Sequence, residues 1–252
     1  MAGAVASLGL LGCERFEAPT PVPAPTQEAS TAIPSPQAST TFIDRIVYVG
    51  SDFQIYAINP DGTDRQLISG DTQFLDDGSP DQQAEVFFGW PSWSPDGANI
   101  LFSAYSPRPP QPGAALISTD VRGRDPTRLF TNPAGPITLV AQDSPHYALW
   151  SPDGSYVAFL AENQGGLALY LAEGSGEGEI QRVAASAPLY LAWAHDSRSL
   201  LLHWGTQLLR VSVDAPGAPA CISAASSGYR APADSPTTDL IAYVVADEAG
   251  KG

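Results

Sequence analysis

The amino-acid sequence predicts an all-β protein built from a repeated four-stranded unit, and three observations lead to this prediction. The pentapeptide Trp-Ser-Pro-Asp-Gly occurs twice, at residues 93–97 and 150–154. Short apolar runs recur along the chain at spacings that suit one propeller blade of roughly 40–45 residues. Glycine (23 residues) and proline (24 residues) are abundant, which favours many tight turns over long helices. Together these features predict a β-propeller of four-stranded antiparallel blades.

The repeat is visible in the apolar runs that follow the predicted turns. These runs begin at Ile46, Ile100, Val157, Leu200 and Ile241. The first two spacings are longer than the others and predict insertions at residues 71–88 and 104–113, which are polar or Pro-rich. The predicted blade units are residues 44–70, 86–131, 137–185, 187–225 and 228–252. The first unit shows only its last three strands, and the fifth is truncated.

About four to five blades are therefore predicted, whereas a closed six- to eight-bladed ring needs more chain than this sequence supplies. Propellers usually close by pairing strands from both ends of the chain, which protects the sheet edges. We therefore expect an incomplete ring that is part of a longer protein. Such a piece in isolation would expose open edges and associate.

The Trp-Ser-Pro-Asp-Gly motif has the composition of a turn between the first and second strands of a blade. Proline sets φ near −65°, aspartate can accept hydrogen bonds from nearby backbone N–H groups, and glycine permits positive φ. The tryptophan offers a large apolar surface to the neighbouring blade. The motif residues of the four units are Trp93, Ser94, Pro95, Asp96 and Gly97; Trp150, Ser151, Pro152, Asp153 and Gly154; Trp193 and Asp196; and Ser235 and Pro236. One active site does not need four copies of a turn, so we interpret the motif as structural.

A second turn, formed by Pro60, Asp61 and Gly62, is predicted between the third and fourth strands of the first unit. It lies in Ile-Tyr-Ala-Ile-Asn-Pro-Asp-Gly-Thr-Asp-Arg-Gln-Leu-Ile, residues 55–68. With the Trp-Ser-Pro-Asp-Gly hairpins, this segment resembles the WD-like propeller repeat of the TolB family over residues 45–246. The resemblance implies the fold and two kinds of function. TolB works in an envelope protein complex, and related propellers are the non-catalytic domains of prolyl oligopeptidase-like and dipeptidyl-peptidase-like serine peptidases.

The N-terminal region has the features of a leader followed by a tether. Residues 1–13 end in Leu10-Leu11-Gly12-Cys13, which resembles a bacterial lipobox and implies lipidation of Cys13. No Lys or Arg precedes Cys13, although a signal n-region is normally basic, so either the true start lies upstream or the match is a chance apolar start. Residues 14–41 are rich in Pro, Ala, Ser and Thr, which predicts a flexible tether. Residues 42–252 then form the propeller domain of an extracytoplasmic, membrane-anchored lipoprotein, in the periplasm or at the cell surface.

The composition and the remaining motifs restrict the chemistry. A net charge of −15 disfavours nucleic acid as a partner. Cys13 and Cys221 lie far apart in sequence, so we expect no disulfide framework and a buried Cys221. His146, His195 and His203 have no metal-ligand spacing. His195 is expected to be a solvated turn residue and His203 a core or interface residue. No P-loop, Gly-x-Ser-x-Gly or His-Glu-x-x-His motif is present, so neither a cofactor nor a metal is expected.

Two hypotheses for the function remain. The first is a non-enzymatic propeller that binds a protein or a cell-envelope component near a membrane. The alternative is the substrate-gating propeller of a serine peptidase whose catalytic domain lies beyond residue 252. Phe87, Phe88 and Trp90 lie beside the first predicted insertion, and insertions clustered on one rim would form a recognition surface. The oligomeric state is left open.

Overall fold

The computed structural model describes residues 44–70, 86–106, 113–132, 146–163, 166–185, 189–224 and 231–245. Within these ranges the regular secondary structure consists of β-strands, without a helix. The predicted all-β fold class is therefore confirmed. The predicted leader at 1–13, with Cys13, and the tether at 14–41 lie outside the described residues.

Five antiparallel sheets follow one another along the chain, one for each blade. Blade 1 contains β1 (Ile46–Val49), β2 (Ile55–Ile58) and β3 (Gln66–Leu67). Blade 2 contains β4 (Phe87–Trp93), β5 (Asn99–Ser106), β6 (Gly113–Asp120) and β7 (Thr127–Asn132). Blade 3 contains β8 (His146–Trp150), β9 (Tyr156–Asn163), β10 (Gly166–Glu173) and β11 (Gln181–Ala185). Blade 4 contains β12 (Leu189–Trp193), β13 (Ser199–Trp204), β14 (Gln207–Ser212) and β15 (Ala220–Ser223). Blade 5 contains β16 (Ala233–Asp234) and β17 (Ile241–Ala242).

Each sheet is a meander in which strands that are consecutive in sequence pair with one another. The first strands of successive blades also lie side by side, because β8 packs against β4 and β16 packs against β12. In blade 1, β1 takes the corresponding place beside β4. This is the arrangement of innermost strands around a propeller axis. The sheets do not close into a ring within the described residues.

The hydrophobic core lies between the blades. The middle strands are buried on both sides because successive side chains point to opposite faces of a sheet. In β5, Phe102 packs toward blade 1, whereas Leu101 packs toward blade 3. In β9, Phe159 faces blade 2 and Leu160 faces blade 4. Full burial of each such side chain stabilises the fold by about 1.5–3 kcal/mol, and each of the three interfaces between blades 1 and 4 holds one buried hydrophobic cluster.

The motif tryptophans connect each blade to the core that it shares with the preceding blade. Trp93 packs against the cluster between blades 1 and 2, Trp150 against that between blades 2 and 3, and Trp193 against that between blades 3 and 4. The Nε1 of Trp193 also donates a hydrogen bond to the Leu149 carbonyl, at 3.0 Å. The Nε1 atoms of Trp93 and Trp150 are buried and have no acceptor among the described residues.

The predicted insertions are narrower in the structure. Strand β4 already begins at Phe87 and β5 continues to Ser106, so hydrogen-bonded pairing extends into both of the ranges predicted as insertions, 71–88 and 104–113. Phe88 is 1% exposed and meets the Phe102 ring edge to face. It is therefore a core residue, because the strand alternation turns it inward.

The sequence predicted that Cys221 is buried and that it forms no disulfide, and both predictions are wrong. This residue is exposed on β15, the outermost strand of blade 4, and it is disulfide-bonded. An outermost strand has no further strand covering its edge, and separation along the chain does not determine separation in space. The other cysteine of the chain, Cys13, lies outside the described residues.

Candidate functional site: the insertion face

The meander topology divides the strand ends into two faces, which we call the turn face and the insertion face. The turn face carries the turns from first to second strand and from third to fourth strand, including residues 94–98, 151–155 and 194–198. The insertion face carries the turns from second to third strand, such as 50–54, and the strand ends that lead from one blade to the next. Both predicted insertions connect strand ends on this second face.

On the turn face, the hydroxyl and carboxylate of each complete motif are occupied by the turn itself. Asp96 Oδ1 accepts hydrogen bonds from Ser94 Oγ at 2.6 Å and from the Ala98 N–H at 3.0 Å. These two hydrogen bonds hold the pKa of Asp96 below its ordinary value, and the Ser94 hydroxyl has the larger effect. Gly97 has φ of 70°, a left-handed conformation that glycine adopts without a Cβ clash. These contacts make Asp96 a structural turn residue.

The second complete motif has the same geometry. Asp153 Oδ1 accepts hydrogen bonds from Ser151 Oγ at 2.7 Å and from the Ser155 N–H at 2.9 Å. Partial burial raises the pKa of Asp153, but the Ser151 and Ser155 donors outweigh it and leave that pKa lowered. Pro152 is exposed at the first corner of the turn. The repeated geometry shows that the turn is specified locally in blades 2 and 3.

The third copy replaces the local residues with contacts to other blades. Ser197 stands in the place of glycine with φ of 57°, and its Oγ accepts a hydrogen bond from the Asp153 N–H at 3.0 Å. Asp196 accepts hydrogen bonds from the Arg198 and Ser199 N–H groups, at 2.8 and 2.9 Å. Blade 4 is thereby joined to blade 3 through the degraded turn.

His195 is more than the solvated turn residue that was expected. Its backbone N–H donates to Asp234 Oδ2 at 2.7 Å, and its Nδ1 lies 2.6 Å from the same oxygen. Burial raises the pKa of Asp234, but these hydrogen bonds from His195 hold it below its ordinary value. The pair joins blade 4 to blade 5, so the substitution of proline by histidine at this turn has an interblade role.

The remaining predicted turn residues also lie on the turn face. Ser235 Oγ accepts a hydrogen bond from the Thr238 N–H at 3.2 Å, and Pro236 follows it in the turn between β16 and β17. In the turn between β2 and β3, Asp61 Oδ1 accepts hydrogen bonds from the Thr63 hydroxyl and N–H. The Thr63 hydroxyl is the main cause of the lowered pKa of Asp61. Pro60 and Gly62 complete that turn, where Gly62 has φ of 82°.

The other histidines lie apart from each other, and a cleft with acidic walls separates two blades. His203 is buried, with its ring 6.3 Å from that of Tyr190, and His146 lies in β8. A cleft of about 300 Å³ lies between blades 3 and 4, with Glu173, Glu179 and Asp214 in its walls. Among the described residues, no group of three or more His, Cys, Asp or Glu residues is placed to hold a metal ion.

The insertion face carries an exposed aromatic cluster. Phe53, in the turn between β1 and β2, is 50% exposed and meets Phe87 edge to face at 5.3 Å between ring centres. Phe87 in turn stacks on Tyr105 at 5.7 Å. The Phe88 N–H donates to the Phe53 carbonyl at 2.9 Å, which holds this turn of blade 1 against the first strand of blade 2.

Trp90 and Tyr147 form a second aromatic pair across the boundary between blades 2 and 3. Their ring centres are 6.4 Å apart and their planes stand at 62° to each other. Trp90 is 56% exposed and Tyr147 is 39% exposed. Because both residues belong to first strands, the pair lies along the innermost strands of two blades.

Unusual backbone geometry positions these exposed rings. Trp90 lies within the register shift between Gly89 and Ser92, and Tyr147 lies within the equivalent shift between His146 and Leu149. Both residues have φ of 55°, and Phe53 has φ of 58°. For a bulky side chain this conformation is a strained outlier that costs roughly 1–2 kcal/mol. β-Bulges next to functional sites commonly redirect a side chain in this way.

Sequence reasoning found only part of this surface. It singled out Phe87, Phe88 and Trp90, of which Phe88 belongs to the core, and it missed Tyr147. A signal was present in the repeat, because Trp90, Tyr147 and Tyr190 each precede the motif tryptophan of their blade by three residues. Aligning the blades backwards from the tryptophan would have shown an aromatic residue at this position three times.

Charge is distributed unequally between the two faces. Most arginines of the described residues lie in or beside turns of the turn face or reach toward it from a strand; they are Arg45, Arg122, Arg124, Arg128, Arg182, Arg198 and Arg210. Arg65 is the exception, because its guanidinium extends over the Tyr56 ring toward the insertion face. On the insertion face, Asp52 lies next to Phe53 and accepts a hydrogen bond from the Tyr56 hydroxyl at 2.7 Å. That hydroxyl is the main cause of the lowered pKa of Asp52. The Asp52 carboxylate beside Phe53 is thus accompanied by the Arg65 guanidinium, which lies over the Tyr56 ring.

Within the described ranges, no helix has the length and apolar character needed to cross a membrane.

Comparison with known proteins supports the fold. No protein-family profile and no curated protein sequence matches the chain. Among solved structures, an oligogalacturonate lyase in complex with manganese superposes with a TM-score of 0.50 at 13% identity, covering 71% of this chain and 50% of the lyase. A TolB-type protein from Agrobacterium tumefaciens has a TM-score of 0.37 at 19% identity, covering 64% of this chain and 50% of its own. A dipeptidyl aminopeptidase IV-type protein from Bacteroides ovatus has a TM-score of 0.43 at 14% identity, covering 66% and 25%.

The chain spans half or less of the length of these three structures. At 13% identity, the superposition on the lyase supports the propeller fold alone, since one fold hosts many functions.

Proposed function

We propose that this protein is a non-enzymatic binding module that acts outside the cytoplasm and whose insertion face recognises a protein or another cell-envelope component. The observation that carries the proposal is the set of three exposed, bulky aromatic residues on strained backbone, Phe53, Trp90 and Tyr147. An exposed aromatic side chain on strained backbone leaves much of its apolar area uncovered in the isolated fold. It is typical of a surface that is prepared for a ligand.

Aromatic side chains on a rigid scaffold are effective binding groups. Tyrosine and tryptophan offer a large contact area with few rotatable bonds, so little conformational entropy is lost when they are covered. Residues of this kind dominate the binding energy of many protein interfaces. Here β-strand pairing on both sides of each bulge holds the rings in place, which favours recognition by preorganised contact.

The turn face supports a non-enzymatic role. Asp96 and Asp153, the repeated carboxylates, accept hydrogen bonds from their own turns and are held ionised by them. A carboxylate occupied in this way is a poor general base, because its lone pairs are engaged and its proton affinity is lowered. Their geometry therefore favours a structural role over catalysis.

The experiment that tests this function uses a photo-crosslinking amino acid at position 90 of the full chain in cells. A matched control places the same amino acid at Ile180, which is 39% exposed on the turn face. We expect one discrete crosslinked partner from position 90 and none from position 180. Equal labelling from both positions, or no adduct from position 90, contradicts the proposal.

The lipid anchor has its own test. A sulfur atom that carries a diacylglyceryl thioether cannot also form a disulfide, so mass spectrometry of the mature N-terminal peptide distinguishes the two fates of Cys13. The leader sequence by itself predicts a diacylglyceryl-Cys13 terminus. A chain that retains Met1, or one whose Cys13 is linked to Cys221, contradicts the anchor.

A separate measurement tests the alternative role as a peptidase propeller. Sequencing the coding region beyond Gly252 would show either further repeats or a Gly-x-Ser-x-Gly elbow within an α/β pattern. The second result would replace the binding module with a domain that gates access to a catalytic site.

A further inference from the structure

The contact between blades 4 and 5 differs from the other contacts between blades. The buried hydrophobic clusters of the described residues lie at the three interfaces between blades 1 and 4, and blade 5 contributes to none of them. The two strands of blade 5 contain two residues each, and β16 lies beside β12. Polar contacts are therefore more important for docking blade 5 than for docking the other blades.

His195 and Asp234 form a polar contact across this interface. The backbone N–H of His195, at 2.7 Å, and its Nδ1, at 2.6 Å, both meet Oδ2 of Asp234. The side chain of Asp234 is 3% exposed and that of His195 is 37% exposed. The second carboxylate oxygen, Oδ1, is buried and has no hydrogen-bond partner among the described residues. The charge of Asp234 is thus withdrawn from water and depends on His195 for its hydrogen bonds.

The other charged groups around the pair are Arg210 and Asp196. The positive charge of Arg210, on β14, acts on Asp234, and its Nη1 lies 3.7 Å from Oδ2 of Asp196, the residue that follows His195 in the turn. Arginine and ionised aspartate side chains keep their charges between about pH 5 and 8, whereas histidine side chains exchange their proton in this range. His195 is therefore the member of this cluster whose charge changes near neutral pH.

A buried carboxylate distinguishes the two protonation states of the imidazole. The protonated ring places a positive charge 2.6 Å from Asp234 Oδ2, and a hydrogen bond with charged partners is about twice as strong as a neutral one. The neutral ring can still donate from Nδ1, but it no longer supplies a charge. Because a buried charge without a compensating partner is costly, the docked blade binds the proton more tightly than an undocked blade would.

We propose that His195 and Asp234 form a pH-sensitive ion pair that docks blade 5 on blade 4. Protonated His195 holds β16 beside β12, and loss of the proton loosens this contact. By linkage, the stabilisation is complete at the acidic end of the range in which histidine titrates and is lost as the pH rises through it. This response goes beyond the proposed binding function and does not depend on it.

The test follows amide hydrogen exchange of the full chain by mass spectrometry at about pH 5.5 and about pH 8. His195→Gln leaves residues 231–245 unchanged, so the variant and the unmodified protein have the same intrinsic exchange rates in this segment at each pH. Strand β6 (Gly113–Asp120) reports whether the rest of the fold is intact. Arg210→Gln is the matched control, because it removes a neighbouring charge that does not titrate in this range.

At the acidic pH, we expect residues 231–245 to exchange about fivefold faster in His195→Gln than in the unmodified protein. At the alkaline pH, the two proteins should agree within about twofold, because the charge of His195 is then absent from both. Arg210→Gln should change the exchange of this segment by the same factor at both pH values. In an Asp234→Asn background, His195→Gln should lose its pH dependence, because the carboxylate that selects the protonated ring is gone.

Three outcomes overturn the inference. An equal effect of His195→Gln at both pH values would make the pair a structural contact without a pH response. Unchanged exchange of residues 231–245 at the acidic pH would show that the pair does not hold blade 5. Equally accelerated exchange in β6 would assign the pair to global stability instead of the docking of one blade.

Discussion

The two faces of this propeller place different side chains in the same left-handed backbone region. On the turn face, positive φ occurs at glycines such as Gly97 and Gly154 and at the small polar residues Asp64, Asp125 and Ser197. On the insertion face, it occurs at Gly205 and at three large, exposed residues, Phe53, Trp90 and Tyr147. Glycine avoids strain in this conformation, whereas a large aromatic residue keeps the strain and displays apolar surface to solvent. The difference supports the proposal that the insertion face serves recognition.

The two faces also differ in the contacts that hold their side chains in place. The Asp96 and Asp153 carboxylates on the turn face are each held by a serine hydroxyl and a backbone N–H. The exposed rings on the insertion face are held by strand pairing and contact mainly other rings. Substitutions on the turn face should therefore affect unfolding, whereas substitutions of the rings should affect binding.

The largest effect is expected for Gly123→Ala on the turn face. A Cβ at this position would lie 2.1 Å from the backbone carbonyl oxygen of Ile68 in blade 1, and the residue has φ of 74°. Strain and overpacking together should lower the free energy of unfolding by roughly 3–4 kcal/mol, measured by chemical denaturation. Gly97→Ala is the matched control, because its Cβ would meet nothing within 4 Å. Its expected cost is roughly 1–2 kcal/mol, and equal losses would contradict the interblade contact.

Trp90 allows the strain on the insertion face to be measured directly. Trp90→Ala removes the ring but keeps the strained backbone, whereas Trp90→Gly removes both. The glycine variant should be more stable than the alanine variant by roughly 1–2 kcal/mol in denaturant titrations, while both lose binding. If alanine proves as stable as glycine, the backbone at Trp90 is unstrained and the contrast between the faces fails.

Ser197 has positive φ at a turn position that glycine occupies in the two complete motifs. Ser197→Ala removes the hydrogen bond from the Asp153 N–H but keeps positive φ, so it should cost about 1 kcal/mol or somewhat more. Ser197→Gly loses the same bond but relieves the backbone, and its thermal midpoint should stay close to that of the unmodified protein. A glycine variant that is less stable than the alanine variant would show that strain is absent here.

The smallest effect concerns acid stability. The pKa of Asp96 is lowered in the folded protein, so its stabilisation is complete above the ordinary carboxyl pKa of about 4 and is lost as the pH falls through the lower folded value. Asp96→Asn should therefore flatten the fall in unfolding free energy below about pH 4. Ser94→Ala, which removes the main cause of the shift, should flatten it similarly. If the unfolding free energy of both variants falls below about pH 4 as steeply as that of the unmodified protein, the assigned hydrogen bonds are contradicted.

Much of the fold could be predicted because its signals are local. The turn at Asp153 requires residues that are adjacent in sequence, and the strands around it show the alternation of a sheet buried between two others. The aromatic site was predicted less well. Trp90 was noticed because it adjoins an insertion, whereas Tyr147 has no such marker and is revealed by its contact with Trp90 in the neighbouring blade.

The all-β class, the meandering blades and the local turns could be predicted from the sequence, because these depend on residues within one blade. Three features are visible only in the folded protein: the contact of His195 with Asp234, the contact of Ser197 with Asp153, and the inward side chain of Phe88 beside the outward side chain of Trp90. Each of these depends on how neighbouring blades pack and where a strand bulges. Contacts between blades join residues about 40 or more positions apart, and no short-range periodicity encodes them.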